Sequence, residues 1–419
     1  MKRFVKITLM VMMAGLTISV FAGPGQQSSG KTSLTMSRWA GPHADDQKVV
    51  LRDYMAAHPD INVIMDDIDY LGMKQKQITS IQQPVGRGQY DLIFVFGVWT
   101  DEYISNGYVL PLDDYVARAG IDMSVYSQDF LAKESRNGKL YAFPARPEVQ
   151  IMTYNTEWLA RDGKSIPATM EEVIALARYY KEQGTGVALP AMQNDPSTDI
   201  FSTFLFSEGG DYIDPATGRL MLDSAAAKYA VRMWGELCKY AIVGSPTWHT
   251  DQASQATREA KAPFGFTAAG LAMLNGYQDQ SAIVGKVAYR PIPTRRPIVS
   301  CASYWGWGIA ANTPHPQEAF DFLAWLVSPE TEKKQSMMNG QTTAINTTLN
   351  DPDIAAKYPF FSAVKESMQR IKTMPTSIKG AEMVQRLQAA LNEIATTSRD
   401  PETVLAEVQA EYAGVDLRQ

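Results

Sequence analysis

The 419 residues exceed the about 250 to 300 that one hydrophobic core supports, so at least two domains are expected. Hydrophobic residues make up 45% and charged residues 20%, a globular composition that excludes wholesale disorder. A net charge of −6, from 39 basic and 45 acidic residues with no basic block, argues against a nucleic-acid partner.

The chain opens with Lys2, Arg3 and Lys6, followed by an apolar run from Ile7 to Phe21 and the small-residue end Val20-Phe21-Ala22. This is the pattern of a cleaved export signal over residues 1–22, with a flexible polar segment, 23–31, behind it. The run is shorter than the ~20 apolar residues of a membrane span. No cysteine lies near the cleavage site to carry a lipid, so a periplasmic or secreted product without a lipid anchor is expected.

A short strand over Leu34 to Ser37 leads into a loop, residues 38–43, that carries Trp39 and His43. A helix capped by Asp45 or Asp46 should run to Ala57. The next strand begins near Pro59, a helix covers 71–83, and residues 90–96 form an apolar run of the kind buried on both faces. Strand, helix, strand, helix, strand is an α/β pattern, and ligands of such sheets bind beyond the carboxyl ends of the strands. Those ends place Trp39 and His43 after the first strand and Trp99 after the third.

The stretch GKLYAFPARPEVQIMTYN, residues 138–155, reads as a short strand, an interruption at Pro144 and Pro147, and a second strand. In the second strand Arg146, Glu148 and Gln150 share one face, while Pro147, Val149 and Ile151 share the other. Two readings stay open: a half-solvated strand at a sheet edge, or a strand crossing between domains with its polar face in a ligand cleft.

Further on, Thr169 with Glu172 makes a capping box for a helix through Tyr180. Residues 187–189 read as a strand whose exit loop carries Gln193, Asn194 and Asp195. A helix over 201–208 stops at Gly209-Gly210, and Asp223 should cap a helix through Tyr240. Spacing does not decide whether Cys238 and Cys301 meet. Trp158, Trp234 and Trp325 fall in helical patterns, whereas Trp39, Trp99, Trp248, Trp305 and Trp307 are read as loop residues. Aromatic rings stack on the flat C–H faces of sugars, so rings in a cleft favour carbohydrate. Amphipathic helices are expected over 316–327, 380–397 and 401–412.

Enzyme signatures are not found. The four histidines, His43, His58, His249 and His315, show no metal-ligand spacing, and there is no nucleophile elbow, phosphate loop or dinucleotide fingerprint. Neither a metal nor an organic cofactor is expected. The pairs Asp66-Asp67 and Asp113-Asp114 read as solvated turn and strand-end groups rather than a glycosidase acid and base.

Five segments in order, Pro59-Asp60-Ile61-Asn62-Val63, DLIFVFGVW, NGYVLPLDDYV, residues 138–155 with EWL, and Pro167 to Glu172, resemble the extracellular solute-binding proteins of ABC importers, the carbohydrate-type family 1 that is maltose-binding-protein-like. The resemblance implies a two-lobed periplasmic-binding-protein fold of class α/β, with discontinuous lobes joined by a hinge and the ligand cleft between them. The lobes would be residues 32–143 with 301–341 and residues 146–299 with 345–419. It implies a monomer, not an enzyme, that captures a carbohydrate or polyol and delivers it to an inner-membrane permease. Glu148 matches the position of a ligand-contacting glutamate in that family, with Arg146 and Gln150 beside it. Trp39, His43 and Trp99 would serve from one lobe; Asn194, Asp195, Trp248, Phe266 and Tyr277 from the other; Tyr304, Trp305 and Trp307 near the hinge. Residues 270–277 resemble the family's strand ending at the cleft. The alternatives are a receptor for an acidic sugar or sugar phosphate using Arg146 with Arg295 or Arg296, a secreted carbohydrate-active hydrolase, and a sensory module.

Overall fold

A computed structural model describes residues 30–40 and 43–419. The expected export signal over 1–22 lies outside the described residues, as does most of the segment that follows it. Among the described residues ten strands are formed: β1 (Thr32–Trp39), β2 (Ile61–Ile68), β3 (Leu92–Phe96), β4 (Ser135–Arg136), β5 (Lys139–Leu140), β6 (Ala142–Asn155), β7 (Phe264–Ala268), β8 (Val287–Pro291), β9 (Ser300–Ile309) and β10 (Ile371–Lys372). One sheet runs β2-β1-β3-β9-β6-β7, with β8 also on β6 and β10 on β9. β1 is parallel to β2 and β3; β9 is antiparallel to β3, and β6 to β9, β7 and β8.

Two lobes follow from where the apolar side chains collect. One core gathers Leu34, Met36, Leu92 to Phe96, Phe143, Trp305 and Trp307 with Phe320 and Leu323. A separate core gathers Met152, Tyr154, Phe201, Phe204, Trp234, Phe264, Phe266 and the C-terminal helix residues Leu387 and Leu391. A third, smaller cluster, with Val149, Ile151, Ala302, Tyr304 and Phe360, lies along the strands that connect them.

β6 and β9 make that connection. The first half of β6, Ala142 to Val149, pairs with β9, and its second half, Gln150 to Asn155, lies between β7 and β8. Fourteen residues at ~3.3 Å each reach about 46 Å, enough to traverse both lobes. The two prolines do not divide this strand, contrary to the expectation from sequence. The register shifts between Pro144 and Arg146, a bulge where a missing ladder N–H costs little. Pro147 offers its carbonyl to the Thr342 hydroxyl, at 2.6 Å, where the chain crosses back a third time. The second half of β6 is flanked on both sides, and the first half, though paired only with β9, is buried except at Glu148, so the half-solvated edge-strand reading does not hold.

Other elements differ locally from expectation. The helix Ala44–Ala57 has His43 at its N-cap with no side-chain cap, and Asp45 and Asp46 lie in its first turn, where carboxylates favour the positive end of the helix. Ser224, not Asp223, caps Ala225–Lys239. Thr169 accepts from Glu172 N as expected, but the Glu172 carboxylate reaches Ala168 N rather than completing a box. Residues 187–189 make only isolated bridges, through Val187 and Ala188. Residues 270–277 are not a strand, because β7 ends at Ala268 and Ala269–Gly276 coils into 3-10 helix. Cys238 and Cys301 are not joined in a disulfide.

Candidate functional site

The site lies where β1 ends and the middle of β6 passes the Ala269–Gly276 turn. Alternation along β6 puts Arg146 and Glu148 on one face, and Arg146 Nε donates to Glu148 Oε1 at 2.8 Å. The second carboxylate oxygen of Glu148 accepts from Gly270 N at 3.0 Å. From the other lobe, His43 Nε2 meets Gly270 O at 3.0 Å. A carbonyl only accepts, so Nε2 carries the proton. Gly270 admits this convergence because it has no side chain: a Cβ there would overlap Arg146 Nη2 and Glu148 Oε1. Burial, then the charges of Arg146 and Arg38, hold His43 well below the usual histidine range, so the ring is neutral.

An aromatic wall adjoins these polar groups. Trp39, partly exposed at the end of β1, lies parallel to Trp305 with ring centroids 6.0 Å apart, and the Arg146 guanidinium sits 5.2 Å from the Trp39 centroid. Trp305 is 5% exposed and also packs on Phe94, Phe96, Tyr70 and Trp99. On the opposite side Tyr277 is partly exposed; burial, then the nearby charge of Asp46 in the other lobe, raises its pKa. A second inter-lobe contact runs from Thr376 Oγ1 to Asp101 Oδ2 at 2.7 Å.

Of the residues singled out from sequence, the structure brings Trp39, His43, Arg146 and Glu148 together, with Trp305 and Trp99 behind Trp39. Gln150 follows on the same strand face, opposite Ala268, with Oε1 buried and unpartnered. Asn194 is the N-cap of Asp195–Ser207, and its Oδ1 is likewise buried without a partner. The side chain of Asp195 lies outside the described residues. Several rings are placed differently from expectation. Phe266 is fully buried in the C-terminal lobe's core. Trp307 packs on Phe94 at 4.4 Å, inside the other core. Tyr304 is 2% exposed, with its ring against Gly97 and Phe130. Trp305 and Trp307 belong to β9, not to a loop, because this central strand is buried on both faces. Trp248 packs over Gly244 beside a small alanine cluster. Arg295 and Arg296 pair with Glu208, at 2.5 Å and 3.4 Å, instead of joining Arg146.

Sequence reasoning missed Arg38 and Gly270. Arg38 is 2% exposed and donates from Nη1 to Trp39 O. It is third on the buried face of β1 after Leu34 and Met36, and a charge in that alternation was the available signal. Among the described residues, no group of three His, Cys, Asp or Glu side chains could hold a metal ion, and no helix is long and apolar enough to cross a membrane.

Two lobes joined by crossing strands, with polar groups converging where they meet, define a two-lobed binding protein of the periplasmic type. The family described as bacterial extracellular solute-binding protein matches residues 40–333, more than half of the chain, and the chain belongs to it. It is 24% identical over 307 residues to a probable amino-acid ABC transporter periplasmic-binding protein of Sinorhizobium fredii, covering 72% of this chain and 67% of that one. Among solved structures, maltose-bound MalE3 of T. maritima superposes with a TM-score of 0.80 at 19% identity, covering 91% of this chain and 99% of that one. A solute-binding protein of Agrobacterium radiobacter K84 in complex with ribitol gives a TM-score of 0.76 at 22% identity, over 91% and 98%.

Proposed function

We propose that this protein is the substrate-binding component of an ABC importer, capturing a carbohydrate or polyol between its lobes and handing it to a permease in the inner membrane. The observation that carries the reading is Trp39, partly exposed and backed by Trp305, standing next to the Glu148 carboxylate and the Arg146 guanidinium. A ring face matches the C–H face of a sugar, and a carboxylate accepts from its hydroxyls. That the two superposed proteins hold maltose and ribitol supports the same ligand class. The protein acts as a monomer after export and removal of residues 1–22, and it releases its ligand unchanged. Residues 32–143 with 301–341 form one lobe and residues 146–299 with 345–419 the other. Glu148, Trp39, His43, Arg146 and Tyr277 contact the ligand, with Gln150 and Asn194 at the margins. Closure follows from contacts made to both lobes, a shift of population rather than chemistry.

Thermal unfolding against monosaccharides, oligosaccharides, polyols, amino acids and peptides tests this. A ligand at a hundred times its dissociation constant adds roughly 2.7 kcal/mol and moves the midpoint by a few degrees. The expected result is a shift with one carbohydrate or polyol class and recovery of that ligand intact. A shift confined to amino acids or peptides, or ligand recovered cleaved, refutes the reading.

A further inference from the structure

Two buried guanidinium groups stand at the cleft with few direct partners. Arg38 and Arg146 are each 2% exposed, and Arg146 lies over Trp39, the residue after Arg38. Burial first, then the charge of Arg146, draws the Arg38 pKa down to about 9. Among the described residues, Glu148 is the one carboxylate in contact with either guanidinium, and it divides its oxygens between Arg146 Nε and Gly270 N. Asp67, opposite Arg38 in the β1–β2 register, is held by Lys48 at 2.7 Å, and Asp46 is partly exposed. Both acids act on Arg38 only through the field. Arg146 therefore has a bonded counter-charge, whereas Arg38 has none in direct contact among the described residues.

The same place has polar atoms with nothing to bond. Arg146 Nη1 is buried without an acceptor, and His43 Nδ1, an acceptor because Nε2 donates to Gly270 O, is buried without a donor such as a ligand hydroxyl. Buried guanidinium N–H groups are expensive to leave unpaired, and a site that keeps them so is matched to an acceptor that arrives with its ligand. A dianion would bring two negative charges beside Glu148, whereas a monoanion with two oxygens in one plane adds one, suits a guanidinium edge and gives Arg38 the direct counter-charge it lacks.

We propose that this cluster is a carboxylate subsite and that the captured ligand is a sugar acid, a uronate or an aldonate. Its carboxylate accepts from Arg146 Nη1 and lies against Arg38, its C–H face rests on Trp39, and its hydroxyls donate to Glu148. The inference rests on the carbohydrate reading above and narrows it.

The test is calorimetric titration and thermal unfolding of the purified protein with matched series: D-glucose, D-glucitol, D-gluconate and D-glucuronate, and the corresponding galactose set. D-Glucose 6-phosphate, malate and glutamate are added to both. The expected result is that one sugar acid binds at least tenfold tighter than its neutral parent, by an amount that falls as salt is raised. Arg38→Gln should weaken the acid at least tenfold while leaving the midpoint of the free protein unchanged or higher, since repulsion from Arg146 is relieved. A midpoint that falls instead makes Arg38 a structural residue and overturns the subsite. A neutral sugar or polyol that binds as tightly as its acid overturns the inference and leaves the carbohydrate reading standing. Preference for glucose 6-phosphate overturns the carboxylate assignment. Malate or glutamate binding as tightly as any sugar acid overturns the carbohydrate reading itself, and silence across the panel at millimolar concentration overturns both.

Discussion

Gly270 receives His43 from one lobe and Glu148 from the hinge strand, and both contacts use its backbone. Gly270→Ala would drive a methyl group into the Arg146–Glu148 pair, whose side chains are 3% and 12% exposed and have little room to yield. The expected outcome is a loss of about 1 to 3 kcal/mol in urea unfolding, from the displaced Glu148–Gly270 hydrogen bond. Ligand affinity should fall further than that, because the His43 contact forms only when the lobes meet; equal losses in stability and affinity would count against a role in closure. Glu148→Gln removes the counter-charge of Arg146 and should cost about 3 to 5 kcal/mol, the scale for breaking a buried pair, in the same unfolding measurement. The shared face of Arg146 and Glu148 was legible from alternation alone. The His43–Gly270 contact was not, since 227 positions separate its partners and nothing local marks either one.

β6 and β9 show why local pattern reading falters at a hinge. Two prolines in four residues read as an interruption, but here one borders a bulge and the other serves through its carbonyl, so the strand continues. In β9, two tryptophans beside glycines read as a loop, yet Gly306 is there to admit Glu134, whose Oε1 a Cβ would overlap, and Gly308 faces Val109. The α/β pattern of the first lobe was legible because β1, β2 and β3 alternate with helices in sequence. The pairing of β3 with β9 was not, since those strands come from distant parts of the chain. Trp305 thus has two duties, as the backing for Trp39 and as a core ring touching Phe94 and Phe96 at 4.8 Å each. Trp305→Ala should destabilise the protein by about 3 to 5 kcal/mol in denaturant unfolding, the range for emptying a buried aromatic site. Trp39→Ala should cost far less stability and more affinity. If the two variants lose stability alike, the division between supporting and ligand-facing ring is wrong.

Across the whole molecule, three chain crossings and a few polar contacts tie together two lobes with separate cores, and stability depends on groups far from the cleft. Glu134 and Glu332 are fully buried, and burial raises each pKa to about 8, only partly offset by hydroxyls of Thr100 and Thr343. Each is protonated in the folded protein at pH values where the unfolded chain, with an ordinary glutamate pKa near 4.5, has lost the proton. Folding therefore takes up protons between those limits, and the contribution present below pH 4.5 is lost as pH rises through about 8. His43 acts in the opposite sense: its lowered pKa makes the unfolded chain the better proton acceptor below 6.5, so it removes stability as pH falls. Above 6.5 His43 is neutral in both states, and between there and pH 8 the two glutamates are unopposed by it. Stability should decline with rising pH in that window, by at most about 1.4 kcal/mol per pH unit for each glutamate. Glu134→Gln and Glu332→Gln keep the shape of the protonated acid and remove the titration, so each should flatten part of the slope in urea unfolding between pH 6.5 and 8. A slope unchanged in the double variant would place the proton uptake elsewhere. Because Glu134 lies under Gly306 of the crossing strand β9, its ionisation should also loosen the hinge, and ligand affinity should fall with stability in the parent protein but not in Glu134→Gln.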